Sequence, residues 1–315
     1  MTETAEPAPP AAAAIAAPKK RSLARRLARA ALRIAVGVYL GLALVLATFQ
    51  TQLIFPGAST QRHPDAIVRP FDGGEIVQLK ASTGDTVAAL FGPAVTPQGQ
   101  PLPDAAHRPT LLYFYGNGMC MADCTGDWMK LRRRGFNVMV PDFVGYGMSS
   151  GKPSEAGVYA TADACFDHLL SRSDIERTKI VPVGWSLGAA AAVHLASTRS
   201  VPCLVTVSAF TSMADMGRSL FPYLPTSLLL KHHFENEKKL RGIHVPIFIA
   251  HGKRDRIVPF EMSNRNAAVA SGSVTKYDVD AGDHNDVFDV GGQPMLDAIA
   301  AFIEDHARGA SQPRL

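Results

Sequence analysis

Residues 180–192 read Ile180-Val181-Pro182-Val183-Gly184-Trp185-Ser186-Leu187-Gly188-Ala189-Ala190-Ala191-Ala192, and the architecture of the 315-residue chain turns on them. The first five form an apolar run of the kind that lies inside a sheet. From Ala189, four alanines open a helix, because alanine loses no side-chain entropy there. Between the two stands Gly184-Trp185-Ser186-Leu187-Gly188, a serine with glycine two places to either side. A strand that passes straight into a helix brings two backbones close together, and glycine permits that approach. The sharp turn lifts the serine hydroxyl above the sheet, where it can attack an acyl group. The competing reading of Ser186 is a plain helix N-cap. A second G-x-S-x-G, Gly147-Met148-Ser149-Ser150-Gly151, lacks this setting. Gly145 and Tyr146 precede it and Pro153 follows closely, so no helix runs directly from it. Ser149 is expected in a glycine-rich loop without a catalytic part.

A serine nucleophile needs a home for the negative oxygen it creates, a base, and a carboxylate that orients the base. One oxyanion donor is expected to be the N–H of Leu187, at the start of the helix. The other is expected to be the N–H of Asn117, in the loop Tyr115-Gly116-Asn117-Gly118 after an earlier strand. That loop also reads as a simple glycine-rich turn. The acid is expected after a late strand, where His251-Gly252-Lys253-Arg254-Asp255-Arg256-Ile257-Val258-Pro259 places Asp255. Its alternatives are a surface pairing of Asp255 with Arg254 or Arg256, and Asp215 as the acid. Ala281-Gly282-Asp283-His284-Asn285-Asp286 follows the last strand and supplies His284 as base. The order Ser, Asp, His fits one strand-and-helix solution to this chemistry. His232-His233 has no third ligand at helical spacing, so no metal is assigned.

The rest of the chain fits around that turn. Glu75–Leu79 and Thr86–Phe91 alternate as two strands about Ser82-Thr83-Gly84-Asp85. Residues 92–109 read as a proline-rich surface loop. Strands are then expected at 110–115, 136–141, 179–184, 201–208, 246–251 and 274–279. Helices are expected at 119–134, 154–171, 187–197, 259–270 and 293–306. An antiparallel start followed by repeated strand–helix units implies an α/β fold, a mostly parallel sheet with helices on both faces. Residues 210–240 interrupt the alternation with Phe221-Pro222-Tyr223-Leu224-Pro225 and read as an apolar cap over the ligand end.

The net charge of +4 is small, and much of it comes from Lys19, Lys20, Arg21, Arg25, Arg26, Arg29 and Arg33. Without that cluster the chain is close to neutral or slightly acidic, so its basic balance does not point to nucleic acid. The cluster precedes an uncharged apolar run from Ile34 to Phe49, extended past Gln50-Thr51-Gln52 by Leu53, Ile54 and Phe55. To Phe55 it approaches the ~20 residues that cross a bilayer. A cleaved signal peptide has the same order, but no convincing small-x-small cleavage site stands before Phe49-Gln50, which favours an uncleaved anchor. The expected organisation is a disordered basic tail over 1–33, a transmembrane anchor over 34–55, a catalytic domain over 56–308 and a disordered tail over 309–315. The excess of Lys and Arg before the anchor predicts a single-pass protein with a cytoplasmic N-terminus and an extracytoplasmic main domain. Cys120, Cys124, Cys165 and Cys203 show no metal-ligand spacing and read as small buried side chains.

With these motifs, the chain resembles the membrane-anchored branch of the α/β-hydrolase domain-containing serine hydrolases, a group that includes protein depalmitoylases. The resemblance runs from about Leu53 to Ala307. It is carried by Gln52-Leu53-Ile54-Phe55-Pro56-Gly57, Tyr115-Gly116-Asn117-Gly118, Pro141-Asp142-Phe143-Val144-Gly145-Tyr146-Gly147-Met148-Ser149, the Ser186 pentapeptide, and the segments holding Asp255 and His284. In such proteins the loop after the first core strand usually reads His-Gly-Asn; Tyr115 stands here in place of the His. Asp142 matches a position that looks structural in the family. The resemblance implies the α/β-hydrolase fold, hydrolysis of a small acyl ester or thioester, and no cofactor. The cap and the anchor point to an acyl-chain or membrane-derived substrate. The depalmitoylase-like members act on the cytoplasmic side, so the expected orientation argues against that substrate class. The same three residues also suit a peptidase or an acyltransferase, and a non-catalytic scaffold is the alternative from another class.

Overall fold

The computed structural model describes residues 23–308 together with Met1. The expected tail at 309–315, and the part of the expected 1–33 tail before Leu23, lie outside the described residues except for Met1. The chain divides into two compact units, Met1–Leu46 and Ala47–Leu315. The first holds most of α1 (Leu23–Ile54), a 32-residue helix long and apolar enough to cross a membrane. The helix starts at Leu23, so residues 23–33 correct the expected disordered tail. Leu23-Ala24-Arg25-Arg26-Leu27-Ala28-Arg29-Ala30-Ala31-Leu32-Arg33 contains only leucine, alanine and arginine, all strong helix formers, and its charge breaks nothing. At the other end α1 stops at Ile54, one residue short of the expected 55, where Pro56 cannot continue it.

The second unit is built on an eight-stranded sheet. Its strands are β1 (Glu75–Lys80), β2 (Thr86–Gly92), β3 (Thr110–Phe114), β4 (Asn137–Pro141), β5 (Ile180–Trp185), β6 (Leu204–Val207), β7 (Ile247–Gly252) and β8 (Val274–Val279). They lie in the order β1-β2-β4-β3-β5-β6-β7-β8. β1 and β2 pair antiparallel, as do β2 and β4, and all other neighbours are parallel. The burial pattern follows position in the sheet. β3 to β7 are mostly apolar and buried on both faces, apart from the half-buried Trp185 at the end of β5, whereas the edge strand β1 alternates. The helices between strands are α2 (Thr125–Arg133), α3 (Glu155–Ser171), α4 (Leu187–Thr198), the three short cap helices α5 (Met213–Leu220), α6 (Thr226–Leu229) and α7 (Asn236–Leu240), then α8 (Glu261–Val269) and α9 (Val287–Arg308).

Three boundaries differ from expectation for local reasons. The helix expected over 119–134 is a tight 3-10 turn, Met121–Cys124, followed by α2. Cys120 precedes that turn with extended backbone, its N–H bonded to the Asp123 carboxylate at 2.9 Å. The helix expected over 293–306 is preceded by a further turn from Val287, and the two meet at Gly292 (φ 53°) ahead of Pro294. Residues 201–203 stay outside β6, whose four residues are fully buried. All four cysteines are buried free thiols. Burial pushes the Cys120 thiol up to about 11 and the Cys203 thiol to about 12, as expected for small apolar side chains.

This topology dictates where a ligand can sit. From β3 the chain goes to β4 on one side, and the later strands are added on the other, beginning with β5. In open parallel sheets the crevice at such a switch point, beyond the carboxyl ends of the strands, is where ligands bind. The loop after β3 and the turn after β5 flank that crevice.

Candidate active site

The turn after β5 carries Ser186, with φ 55° and ψ −116°, a conformation costly for a residue with a Cβ. Its surroundings hold it there. The Ser186 N–H donates to the Val207 carbonyl at 2.9 Å and its carbonyl accepts from Ala189 N–H at 3.0 Å. A Cβ on Gly184 would run into the Gly188 carbonyl, and one on Gly188 would run into the Phe114 and Tyr115 carbonyls. Both glycines therefore owe their place to close backbone approach. Leu187 is the first residue of α4, so its N–H is one of the donors that a helix start leaves without an internal acceptor.

His284, from the loop after β8, places Nε2 2.9 Å from Ser186 Oγ. Its Nδ1 lies 2.7 Å from Asp255 Oδ2, and Asp255 follows β7. All three side chains are buried. A carboxylate at Nδ1 fixes the proton there and leaves Nε2 free to accept from the serine hydroxyl. The two supporting loops are locked to one another. Arg254 N–H donates to the Gly282 carbonyl at 2.9 Å, Arg256 N–H to Asp283 Oδ1 at 3.0 Å, and a Cβ on Gly252 would meet the Gly282 backbone. Asp255 Oδ1 accepts N–H groups of Ile257 (2.9 Å) and Val258 (2.7 Å). Burial acts to raise the Asp255 pKa, but hydrogen bonds from His251 and His284 with the backbone bonds outweigh it and hold the carboxyl well below the usual range.

His251 is the partner that sequence reading missed. Its Nε2 lies 3.3 Å from Asp255 Oδ2 and 2.9 Å from the Val258 carbonyl. Facing two acceptors, Nε2 carries the proton, so Asp255 takes hydrogen bonds from two histidines. The signal was present in the spacing, since His251 stands four residues before Asp255, but it was read only as the end of a strand. Asp215 lies elsewhere, in the cap. It accepts from Thr211 Oγ1 (2.8 Å), Arg218 (2.8 Å) and Arg265 (2.8 Å), and has no contact with His284. Asp255 itself pairs with neither Arg254 nor Arg256; the latter binds Asp283.

The loop after β3 borders the serine. A Cβ on Gly116 would lie 3.4 Å from the Trp185 ring and 3.7 Å from Ser186 Cβ. Asn117 is tied down on two sides. Its side-chain amide donates to the Ile54 carbonyl (3.2 Å), and its own carbonyl accepts from Gly57 N–H (2.9 Å) and the Tyr146 hydroxyl (3.1 Å). Tyr115, in the position of the family's histidine, is fully buried. Its hydroxyl donates to Asp142 Oδ1 at 2.9 Å and accepts from Phe143 N–H at 3.3 Å. Asp142 further accepts N–H groups of Met121 (2.6 Å) and Met148 (2.7 Å). Burial pushes its pKa up despite these bonds. The tyrosine thus pins the start of the loop to the β4 exit. Ser149 is buried in the same region. Its hydroxyl donates to the Asp142 carbonyl (2.7 Å) and accepts from Ala88 N–H (3.0 Å), so its place is structural. Among the described residues, no group of three or more His, Cys, Asp or Glu is placed to hold a metal. His232 and His233 are used otherwise: His232 Nε2 lies 3.1 Å from Thr51 Oγ1 and its Nδ1 accepts from Glu155 N–H, while His233 N–H donates to the Glu155 carboxylate.

Comparison with known proteins agrees with this architecture. Residues 109–237 match a family described as the alpha/beta hydrolase fold. An uncharacterized protein of Mycobacterium tuberculosis is 38% identical over 57% of this chain and 64% of its own length. The chain thus spans somewhat less than two thirds of that relative. The alpha/beta hydrolase domain-containing protein WAV2 of Arabidopsis thaliana is 27% identical over 84% of this chain and 90% of WAV2. Among solved structures, the acetyl xylan esterase from Paenibacillus sp. R4 superposes with a TM-score of 0.59 at 16% identity, covering 76% of this chain and 86% of that one. This chain has the α/β-hydrolase fold, preceded by an apolar N-terminal helix long enough to cross a membrane.

Proposed function

We propose that this protein is a serine hydrolase that cleaves a carboxylic ester or thioester through an acyl-enzyme. The observation that carries the reading is the continuous hydrogen-bonded run from Ser186 through His284 to Asp255 at the carboxyl ends of β5, β8 and β7. As Ser186 Oγ attacks the acyl carbon, its proton passes to His284 Nε2, and Asp255 stabilises the imidazolium that forms. The N–H groups of Leu187 and Asn117 hold the oxyanion. When the tetrahedral species collapses, the bond to the leaving alcohol or thiol breaks, and that group takes the proton from His284. Water then gives a proton to His284 and attacks the acyl-serine; the bond to Ser186 Oγ breaks, Oγ takes the proton back from His284, and the acid leaves. None of these steps calls for a cofactor.

The membrane placement belongs to the same proposal. Helix α1 spans the bilayer uncleaved, with the basic cluster in the cytoplasm and the hydrolase domain on the far side, because seven Lys and Arg residues precede the apolar run and only Arg62 and Arg69 follow it closely. Protease added to the outer side of sealed membranes is expected to digest the hydrolase domain; its protection would overturn the orientation. For the chemistry, full-length protein is expected to react with a fluorophosphonate probe, and folded Ser186→Ala protein is not. Unlabelled wild-type protein would sink the serine-hydrolase reading. Short acyl esters, acyl thioesters and aminoacyl amides assayed side by side separate an esterase from a peptidase.

A further inference from the structure

The cap carries large apolar side chains that the fold does not cover. Leu220 is 64% exposed, Phe221 38%, Tyr223 89% and Leu228 84%. All four lie in one short excursion, from the end of α5 to the middle of α6. The excursion is an ordered piece of structure. Phe221 N–H donates to the Gly217 carbonyl (2.8 Å), Leu228 N–H to that of Pro225 (3.0 Å), and Thr226 Oγ1 to that of Ala214 (3.2 Å). From Met216 to Phe234 there is no Asp or Glu; Arg218 is paired with Asp215 at 2.8 Å, and Lys231 closes the segment.

The position of this excursion along the chain is fixed by Gln50. Its side-chain amide donates to the Leu229 carbonyl (3.0 Å), and its Oε1 accepts from Lys231 N–H (2.6 Å). Thr51 reaches His232 one residue further on. The last turns of α1 therefore have two faces. Gln50 and Ile54 are buried against the domain, and Phe49 (52%) and Leu53 (59%), also four apart, are exposed. Gln50 directly follows the uncharged run that ends at Phe49. If that run crosses a bilayer, chain continuity alone leaves Gln50 at its surface, and the cap segment bonded to Gln50 is at the surface with it.

We infer that the apolar excursion Leu220–Leu228 is a membrane-docking surface, whose occupant is the bilayer that holds α1. The inference rests on the anchor reading above and deepens it. Exposed apolar side chains of this kind, with Lys231 beside them, are what enters the interface of a membrane. An exposed apolar patch on an otherwise polar surface calls for a partner, and the bilayer is the one that Gln50 brings to it. Docked in this way, the cap presents the hydrolase to acyl groups that leave the lipid leaflet, so the substrate is an ester or thioester with a membrane-resident acyl chain.

The test uses the full chain reconstituted into vesicles of phosphatidylcholine with a minor share of phosphatidylglycerol. Leu228→Cys and, as reference, Thr275→Cys on the exposed face of β8 are each labelled with a fluorophore; the four native thiols are buried. Lipids carrying a nitroxide near the headgroup then serve as quencher. The expected result is strong quenching at position 228 and little at 275, in protein that floats with the vesicles and resists alkaline extraction. Protein that floats but shows equal quenching at both positions overturns the docking surface and leaves the anchor standing. Protein that does not float overturns the anchor and the docking together. Quenching at 228 replaced by concentration-dependent self-association in detergent makes a second copy the occupant and overturns the proposal. As a functional arm, the double variant Leu220→Ser, Leu228→Ser is expected to lose on the order of tenfold on a vesicle-borne ester while keeping its rate on a short soluble ester. Equal loss on both substrates refutes the docking role.

Discussion

Replacing Gly188 with alanine separates the proposed oxyanion loop from the nucleophile. The new Cβ would lie 2.7 Å from the Tyr115 carbonyl oxygen, and closer still to the Phe114 carbonyl. An unstrained carbon–oxygen contact needs about 3.3–3.6 Å. Both obstacles are backbone at the end of β3, so no rotamer can relieve them. The loop from Tyr115 to Gly118 or the start of α4 must move by on the order of 1 Å. A displacement of that size at a catalytic group costs roughly 10²-fold, and outright loss of one oxyanion donor costs ~10²–10³. We therefore expect Gly188→Ala to lower kcat by on the order of 10² with little change in KM, because the donor acts on the transition state more than on the bound ester. The assay is steady-state hydrolysis of a short chromogenic ester by full-length protein in detergent, with thermal unfolding to establish that the variant is folded. Gly118→Ala is the control, since a Cβ there meets nothing within 4 Å, and it should leave turnover unchanged. A folded Gly188→Ala protein whose kcat stays within a small factor of wild type would refute the placement of the oxyanion donor.

Ser186→Ala should remove turnover by about 10⁶, because the proposed triad acts as a unit. Asp255→Asn should cost less, ~10⁴, through the wrong tautomer of His284, whereas Asp215→Asn, far from His284, should leave kcat intact; the reverse pattern in folded proteins would make Asp215 the acid. Ser149→Ala should leave kcat of the folded protein within a small factor yet lower its stability by about 1–3 kcal/mol in urea unfolding, because Ala88 N–H loses a buried acceptor; lost turnover in a stable variant would reverse the choice between the two pentapeptides. Asp255 ionises more readily folded than unfolded, so its stabilisation is complete above about pH 5 and is lost as pH falls toward its folded value. The stability gap between wild type and Asp255→Asn should accordingly narrow below about pH 4 in urea titrations, and a gap that widens would contradict the pairing.

The parts of this structure that could be read in advance are those where local chemistry and global position agree. Ile180 to Ala192 spell a strand, a forced turn and a helix, each by its own residues, and the structure has all three within a residue or two. Asp255 and His284 could be picked out because each follows a strand, and the fold brings the ends of parallel strands to one edge. What escaped were contacts between distant segments that leave no local period. The bond between Gln50 and residues 229–231 joins positions separated by 179 and 181 residues. The Tyr115–Asp142 bond depends on the side-by-side pairing of β3 and β4, which fixes partners only after the sheet has formed. The helical start at Leu23 was missed for a different reason. A run of arginines was read as a solvated tail, although alanine, leucine and arginine are all among the best helix formers.

The ties on Asn117 bear on how the protein should be produced for study. A soluble version is usually made by cutting just after the apolar helix, and here that cut falls among residues that hold the proposed oxyanion loop. Ile54 supplies the acceptor for the Asn117 amide, and Gly57 N–H donates to the Asn117 carbonyl. A polypeptide starting after Gly57 keeps the sheet, the serine and its histidine, but leaves Tyr146 as the remaining one of these three tethers on the loop. Such material would express, fold and still turn over slowly, and its sluggishness would be misread as the wrong substrate. Trimming upstream of Ala47 retains the whole bracket, and activity screens belong on that longer version.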